Sequence, residues 1–361
     1  MQWLVIILVL PYFFLLLRVY RGLKKLKTYK PENNGNQFVS VIIACRNEQE
    51  HLPCILNNLR EQIYPSELFE VIIVDDNSTD STFRIASSFC EIKNISVLKN
   101  NGRGKKAALI TAVNAAKGSL IVTTDADCIM QKEWLHTISS FSHASGTDMI
   151  VCPVMVAESK GVFGRFAELE FLGLQGVTAG TLAQGSGIMC NGANLAFRKE
   201  TFLSNINNLH PEIASGDDVF LLHSLKKKRG SKIEWMEAME AAVITASPLS
   251  TGKFFKQRGR WISKAPAYKD INTIIMGIVT FVTILLLIVS PAIALFDITF
   301  IYIYIVALII KSIPDYLILD RTTTRYGKKK LMSWFIPSQV IYPLYVLISV
   351  CYGFLLPRSW N

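Results

Sequence analysis

The sequence predicts an α/β fold with a Rossmann-like, mostly parallel sheet, joined to transmembrane helices. Between residues 37 and 250, short runs of β-branched residues alternate with stretches of helical periodicity. This alternation is typical of a parallel sheet that is covered on both faces. Half of the 361 residues are hydrophobic, and four long apolar runs lie outside this segment. The composition is too apolar for an ordinary soluble protein and too charged for membrane helices alone.

Four apolar runs are expected to cross a membrane. The first, residues 1–17, is short for a span, but the basic residues after it can reach the lipid interface. It lacks a basic leading segment and a small-residue cleavage site, so it is predicted to be an uncleaved anchor, with a cleaved signal as the alternative. The other three runs, 271–295, 298–319 and 334–356, make up a predicted membrane part at 271–357.

Basic residues crowd beside these apolar runs. A basic juxtamembrane linker at 18–36 contains Arg18, Arg21, Lys24, Lys25, Lys27 and Lys30. A loop between two later runs contains Arg321, Arg325, Lys328, Lys329 and Lys330. Because positive residues favour the cytoplasmic side, both clusters indicate four spans with both termini outside. The sequence thus predicts an integral protein of a bacterial-type inner or cell membrane with residues 37–250 in the cytoplasm. The net charge of +10 is assigned to membrane lipids and not to nucleic acid.

Four charged residues inside apolar stretches allow two interpretations. Lys311 and Asp315 are four residues apart, so they could pair on one helical face, or they could lie at the cytoplasmic interface. The interface position is favoured. Glu168 and Glu170 are expected on the surface of a helix and not in a catalytic site.

Polar residues are expected just beyond the carboxyl ends of three predicted strands. The strands are predicted at 39–44, 71–74, 95–98 and 120–124, and the helices between them at 48–62, 79–89 and 105–116. In an open α/β sheet, ligands bind at the edge formed by the carboxyl ends of the strands. No G-x-G-x-x-G follows the first strand, which argues against a dinucleotide-dependent oxidoreductase.

The polar residues at this edge suit a nucleotide and a cation. Asp125 and Asp127 follow a buried strand, and a divalent cation such as Mg²⁺ or Mn²⁺ would neutralise their mutual repulsion, although helix caps also produce this pattern. A carboxylate at Asp76 could accept hydrogen bonds from a base or ribose, or could cap the next helix. The glycines and cations of residues 101–105 suit a diphosphate, but they lack the spacing of a Walker A loop.

The order of these segments resembles that of the family 2 glycosyltransferases, which have the GT-A fold. The resemblance covers residues 38 to about 265, some two-thirds of the chain. Its motifs are Ala44-Cys45-Arg46-Asn47-Glu48, Asp75-Asp76-Asn77-Ser78-Thr79-Asp80, Gly104-Lys105-Lys106-Ala107-Ala108-Leu109, Asp125-Ala126-Asp127, Asn191-Gly192-Ala193-Asn194, Gly216-Asp217-Asp218-Val219-Phe220-Leu221 and Gln257-Arg258-Gly259-Arg260-Trp261.

The resemblance implies a role for particular residues. Asp218 is implied to be the general base, Asp127 the ligand of a divalent metal, and Asp217, Gln257 and Trp261 part of the acceptor and sugar site; Asp217 stands where the family often has Glu. The implied residues of the nucleotide-sugar site are Ala44, Arg46, Glu48, Asp76, Lys105, Asp125, Asn194 and Arg260. The last motif lies in a basic and aromatic segment, residues 251–270, which could also be an amphipathic interfacial helix.

The resemblance also implies a reaction. A sugar from a UDP-hexose or UDP-N-acetylhexosamine would pass, with inversion, to a lipid-linked or envelope saccharide acceptor at the cytoplasmic face. The Gln257–Trp261 motif also suggests a processive β-polysaccharide synthase, but four spans are marginal for a secretion channel. A non-catalytic scaffold that keeps the fold is the alternative of another class, and the presence of all the expected carboxylates argues against it.

Overall fold

The structure of the chain is a computed structural model that describes residues 2–31, 36–210, 212–213, 215–248 and 250–355. The predicted ends of the first and last membrane spans, at Met1 and Leu356, lie outside these residues, as does part of the predicted linker, 32–35. The described chain forms two compact units, an α/β unit and a helical unit. The α/β unit comprises 27–157 and 189–246, and the helical unit comprises 1–26, 158–188 and 247–357.

The described residues contain ten strands. They are β1 Val39–Cys45, β2 Phe69–Asp75, β3 Ile95–Lys99, β4 Leu120–Thr124, β5 Ile129–Met130, β6 Met149–Val151, β7 Val154–Val156, β8 Asn194–Arg198, β9 Ile233–Trp235 and β10 Val243–Thr245.

The same residues contain twelve α-helices. They are α1 Gln2–Lys25, α2 Leu52–Arg60, α3 Thr82–Ser88, α4 Lys105–Ala115, α5 Trp134–Ser145, α6 Gly161–Leu182, α7 Lys199–Leu203, α8 Asp217–Lys227, α9 Thr251–Ile262, α10 Ile271–Ile293, α11 Thr299–Arg325 and α12 Phe335–Leu355.

A seven-stranded sheet forms the centre of the α/β unit, in the order β3-β2-β1-β4-β8-β6-β9. Strands β1 to β4 are parallel to one another, and β8 runs antiparallel to both β4 and β6. Every residue of β1, β2 and β4 is buried, because helices cover both faces of a sheet of this kind. The predicted mostly parallel α/β sheet is therefore confirmed.

Helix α2 begins at Leu52, later than the predicted start at residue 48. The residues before it bond instead to the loop that follows β2. The Asn47 side chain accepts a 2.8 Å hydrogen bond from the backbone N–H of Thr79, and the backbone N–H of Glu48 donates to Thr82 Oγ1 at 2.7 Å. Asn47 also has a φ of 56°, a left-handed conformation that interrupts a helix. Long-range hydrogen bonds thus override the local helical pattern.

Four helices of the helical unit are long and apolar enough to cross a membrane: Leu4–Lys25, Ile271–Ile293, Thr299–Arg325 and Lys329–Leu355. Their number agrees with the prediction. The first is longer than predicted, because α1 continues as a helix through the basic residues up to Lys25. Helix α6, which was expected inside the 37–250 domain, belongs to the helical unit and packs on α1 and α11.

Glycines allow α1 and α6 to approach with their backbones in contact. A Cβ at Gly180 would lie well inside van der Waals distance of the Val19 carbonyl, and one at Gly22 would meet the Gly180 carbonyl. Gly176 and Gly180 have the small-xxx-small spacing that brings membrane helices together. The close contact of α1 with α6 therefore depends on the absence of these side chains.

We expect Gly180→Ala to separate these helices, since backbone atoms cannot rotate away as a side chain does. The added methyl should cost about 1–3 kcal/mol of stability, as overpacking does elsewhere. The measurement is the thermal unfolding temperature of the purified chain in detergent. Gly277→Ala in α10 is the control, because its Cβ would meet nothing within 4 Å. Equal unfolding temperatures for the two variants would contradict the prediction.

The buried charges of the helical unit correct two expectations. Glu168 and Glu170, expected on a helix surface, are buried and paired with Lys328 at 2.8 Å and Arg258 at 2.5 Å. Lys311 was favoured at the interface, but its side chain is 1% exposed and pairs with Asp315 at 2.7 Å. Buried charges are tolerated only when they are paired, and each partner comes from the helical unit itself.

Candidate active site

The predicted carboxylates lie at one edge of the seven-stranded sheet. Asp75 ends β2 opposite Cys45 of β1, and Asp125 directly follows Thr124, the last residue of β4. Neighbouring strands are about 4.8 Å apart, so β2 and β4, on either side of β1, are about 10 Å apart. Strand β8 begins opposite Thr124 and runs antiparallel, which brings the segment 190–193 to the same edge.

Asp76 organises the loop that leads into α4. It is 2% exposed, and its Oδ1 accepts a 2.6 Å hydrogen bond from the Asn100 side chain. The backbone N–H of Gly104 donates to both of its carboxylate oxygens at 3.0 Å. Gly104 has a φ of 87°, which favours glycine, and it immediately precedes Lys105 at the start of α4. Asp76 thereby sets the position of Lys105.

Lys105 lies among three carboxylates. Its Nζ donates to Asp125 Oδ1 at 2.5 Å. Burial favours the neutral amine, but the charges of Asp125, Asp217 and Asp218 outweigh it and raise the pKa of Lys105 above its usual value. Lys105 therefore remains a cation and brings positive charge to this edge.

Asp127 and Glu48 are two further carboxyl groups at this edge of the sheet. Burial raises the pKa of Asp127, the charge of Asp125 raises it further, and a 2.9 Å hydrogen bond from Thr245 Oγ1 opposes both. Burial also raises the pKa of Glu48; a hydrogen bond from His51 lowers it, and the charges of Asp127 and Asp125 raise it. Asp125 is therefore close enough to disfavour the ionisation of both Asp127 and Glu48.

A divalent cation fits this arrangement, because its charge would offset both the burial and the repulsion that raise the pKa values of Asp127 and Glu48. Among the residues the structure describes, no three His, Cys, Asp or Glu side chains converge as a closed metal site. An incomplete set of carboxylates is suited to Mg²⁺ or Mn²⁺, which keep positions for substrate phosphates. Asp127 and Asp125 are the residues that would hold the ion.

The Thr245 hydroxyl favours the ionised form of Asp127, so we expect Thr245→Val to raise the pKa of Asp127. A carboxylate must lose its proton before it binds a metal. The acidic limb of the pH profile of Mn²⁺-dependent activity should move to higher pH, whereas Thr245→Ser should keep the limb in place. Superimposable profiles for Thr245→Val and the unmodified chain would contradict this role.

Asp218 lies in the first turn of α8 and is held by backbone donors. Its Oδ2 accepts a 3.0 Å hydrogen bond from the Gly192 N–H, and its Oδ1 accepts from the Val219 N–H at 2.8 Å. The carbonyl of Gly192 in turn accepts a 2.9 Å hydrogen bond from Thr123 Oγ1 of β4. This chain of bonds fixes Asp218 to the strand that precedes Asp125.

Lys106 has a structural task next to Lys105. Its buried Nζ donates to the carbonyls of His210 and Ile213, at 2.6 and 2.7 Å, and lies 4.9 Å from the centre of the Phe220 ring. The contacts connect α4 to the segment before α8, which carries Asp218. Lys105 thus contacts the carboxylates, whereas the adjacent Lys106 connects two segments of the chain.

Asn194 was expected in the nucleotide-sugar site, but it has a structural position. It is fully buried, and its amide nitrogen donates to the carbonyls of Pro153 and Ala241, each at 2.7 Å. Its oxygen accepts from the Trp134 indole at 3.0 Å. All of its side-chain hydrogens are used within the protein, so we reassign it from ligand binding to support of β8.

The remaining predicted residues have varied surroundings. Ala44 is buried in β1, and Arg46 follows that strand with partial exposure. Gln257 and Trp261 lie on α9, in the helical unit, together with Arg260, which is half-buried.

Arg258, which the sequence did not single out, organises the predicted acceptor residues. The Gln257 side chain accepts a hydrogen bond from Arg258, and the Arg258 guanidinium lies 4.1 Å from the centre of the Trp261 ring. One face of Trp261, expected to contact an acceptor sugar, is therefore covered by an arginine.

Sequence reasoning missed several residues at this edge. Thr245, Thr123, His51 and Asn100 each bond to a site residue or to its support. Of these, only Asn100 could have been suspected from its position in the sequence, because it directly precedes the glycine-rich loop at residues 101–105. Thr123 and Thr245 look like ordinary strand residues, and their partners are distant in the chain.

Part of the chain is similar in sequence to known proteins. Residues 40–203 match the family model described as "Glycosyl transferase family 2". The chain is 34% identical over 115 residues to the glycosyltransferase AglE of Haloferax volcanii, covering 31% of this chain and 38% of that protein. It is 33% identical over 150 residues to the beta-monoglucosyldiacylglycerol synthase of a Nostoc species, covering 39% of this chain and 32% of that protein. The chain thus spans less than two-fifths of these relatives' lengths.

A solved structure shows the same fold. The mannosyltransferase PcManGT from Pyrobaculum calidifontis, in complex with GDP-Man and Mn²⁺, has a TM-score of 0.60 and 19% identity, covering 98% of this chain and 99% of that one. The fold is of the GT-A class, and the described part of the chain adds four helices that could span a membrane. Within that class, the match of residues 40–203 supports membership in glycosyltransferase family 2.

Proposed function

We propose that this protein transfers a sugar from a nucleotide sugar, a UDP-hexose or UDP-N-acetylhexosamine, to a lipid-linked or envelope glycan acceptor, with inversion. The observation that carries the proposal is the placement of Lys105 among Asp125, Asp217 and Asp218 at the edge where Asp76 also lies. A cation and several carboxylates at this edge suit a diphosphate leaving group and an acceptor hydroxyl.

Asp218 is the proposed general base. A hydroxyl has a pKa far above neutrality, so its proton must move to a base as the oxygen attacks. Two backbone N–H groups hold the Asp218 carboxylate, and each oxygen keeps a further lone pair for the incoming proton. Asp217, its buried neighbour, is the proposed acceptor-side residue.

Lys105 is the proposed counter-charge for the leaving diphosphate. Its raised pKa keeps it protonated while negative charge develops on the departing phosphate oxygens. Asp127 and Asp125 would hold a Mg²⁺ or Mn²⁺ ion, which supplies further positive charge to the diphosphate when bound. One displacement opposite the leaving group converts an α-linked donor into a β-glycoside.

The proposed location is the cytoplasmic face of a membrane. Helix α1 ends with Lys24 and Lys25, and the region after Asp320 carries a second basic cluster. Positive residues favour the cytoplasmic side, so both clusters support one orientation. One of the similar proteins is named as a glucosyldiacylglycerol synthase, which supports a lipid acceptor here.

A donor screen on the full chain in detergent tests the proposal. UDP-glucose, UDP-N-acetylglucosamine and GDP-mannose are incubated with Mg²⁺, Mn²⁺ or EDTA, and nucleotide release is measured. We expect metal-dependent release from one UDP-sugar and a β-anomeric product by NMR. Single addition should give one short product, whereas a high-mass ladder would mean processive synthesis. If no nucleotide is released from any of these donors with either metal, the proposed sugar transfer is refuted.

A further inference from the structure

The helical unit contains a cavity that the proposed chemistry does not use. Its volume is about 100 Å³, and helices α1, α6, α11 and α12 line it. One part of the wall is polar and includes Tyr12, Glu170, Lys311, Asp315 and Gln339. Most of the remainder is apolar. A cavity with one polar part and an apolar wall suits a lipid whose headgroup makes hydrogen bonds.

The charges of the polar part are paired. The Lys311 ammonium contacts Asp315 at 2.7 Å and donates to Gln339 at 2.7 Å. The Tyr12 hydroxyl donates to the other Asp315 oxygen at 2.8 Å. With two hydrogen bonds from the protein, the Asp315 carboxylate keeps lone pairs that can accept from a ligand.

The second carboxylate of the wall is paired in the same way. Glu170 accepts a 2.5 Å hydrogen bond from Arg258 and a 2.7 Å hydrogen bond from the Tyr345 hydroxyl. The lining itself therefore holds two carboxylates and one ammonium. Arg258, which does not line the cavity, neutralises the remaining negative charge by pairing with Glu170. Among the described residues that line the cavity, no cation is left over to meet a phosphate.

We propose that this cavity binds an uncharged lipid with a free hydroxyl, of the diacylglycerol class. Its hydroxyl would donate to Asp315 or Glu170, and an acyl chain would lie along Leu16, Leu169 and Leu319. An anionic headgroup would meet two carboxylates without a free cation, so a polyprenyl phosphate or phosphatidic acid would be disfavoured. The lipid's role as the sugar acceptor rests on the proposed function, whereas its binding does not.

Photolabelling of the full chain tests the binding. The probe is a diacylglycerol with a diazirine in one acyl chain, in phosphatidylcholine nanodiscs without any nucleotide sugar. Unlabelled diacylglycerol should compete. Phosphatidic acid with the same acyl chains, and the acetate ester of the diacylglycerol, should not, since the first is charged and the second lacks the hydroxyl. Competition by phosphatidic acid equal to that of diacylglycerol would overturn the proposal.

Cavity-filling variants locate the labelled site. Leu174→Phe should reduce labelling about tenfold or more, because the larger side chain would occupy space in the cavity that the lipid needs. Ile313→Phe, on an exposed position of α11 outside the lining, should label normally. Val177→Phe replaces Leu174→Phe if that variant does not fold. Equal labelling of the cavity-filling variant and the control variant would contradict binding of the lipid in this cavity.

The outcomes for lipid binding and for sugar transfer are distinguishable. A chain that transfers sugar but is not labelled would refute this inference alone, and a chain that is labelled but inactive would refute only the proposed function.

Discussion

Asp218→Asn should abolish sugar transfer while donor binding persists. The amide keeps the size of the carboxylate and one acceptor oxygen, but it cannot take the proton of an attacking hydroxyl. General base catalysis contributes about 10²–10⁴ in rate, so we expect a loss of that order in turnover. The measurement pairs the rate of product formation with the dissociation constant of the UDP-sugar in the presence of Mn²⁺.

Glu91→Gln is a matched control, because it makes the same change from acid to amide at an exposed position of the α/β unit. Its turnover should equal that of the unmodified chain. A comparison with Asp217→Asn separates the two neighbouring carboxylates, since Asp217 is the expected contact to the acceptor and should mainly raise the KM for the acceptor. Near-normal turnover of Asp218→Asn would remove this residue from the role of base.

Arg258→Met should strongly destabilise the helical unit. The side chains of Arg258 and Glu170 are 5% and 4% exposed and lie 2.5 Å apart. Removal of the arginine leaves a buried carboxylate whose remaining described partner is Tyr345. Breaking a buried ion pair from one side costs about 3–5 kcal/mol. The measurement is the unfolding temperature of the purified protein in detergent micelles.

Two further variants show whether the loss comes from the unpaired charge. Arg258→Met combined with Glu170→Gln should recover much of the stability, because the neutral amide still accepts from Tyr345. Arg165→Met breaks an ion pair with Glu158 that is 3.9 Å long and largely exposed, so it should cost about 1 kcal/mol or less. The interpretation fails if Arg165→Met costs as much as Arg258→Met, or if the double variant recovers nothing.

The Gln257–Trp261 motif contains a residue with a structural role in the helical unit. Gln257, Arg260 and Trp261 were singled out, whereas the buried Arg258 was not. It pairs with Glu170, covers the Trp261 ring and lies 4.7 Å from the ring centre of buried Phe254. The spacing of a motif identifies a helix face, whereas the residue that holds the helix is identified only by its partners in other helices.

The sequence by itself determined the first four strands, their alternation with helices, and the polar residues at their carboxyl ends. These follow from local rules, because β-branched runs form strands and Asp, Asn and Gly favour the turns after them. It also determined four apolar helices, since crossing a bilayer requires a certain length of apolar residues.

The tertiary structure alone decided which polar residues are enclosed and paired within the protein. Asn194 is buried beside Trp134, Lys106 ties two segments together, and Lys311 is enclosed with Asp315. The partners of Asn194 and Lys106 are separated from them by 41 to 107 residues, and the enclosure of Lys311 depends on Gln339, 28 residues away. Burial, and pairing between distant segments, depend on tertiary contacts that no local pattern in the chain encodes.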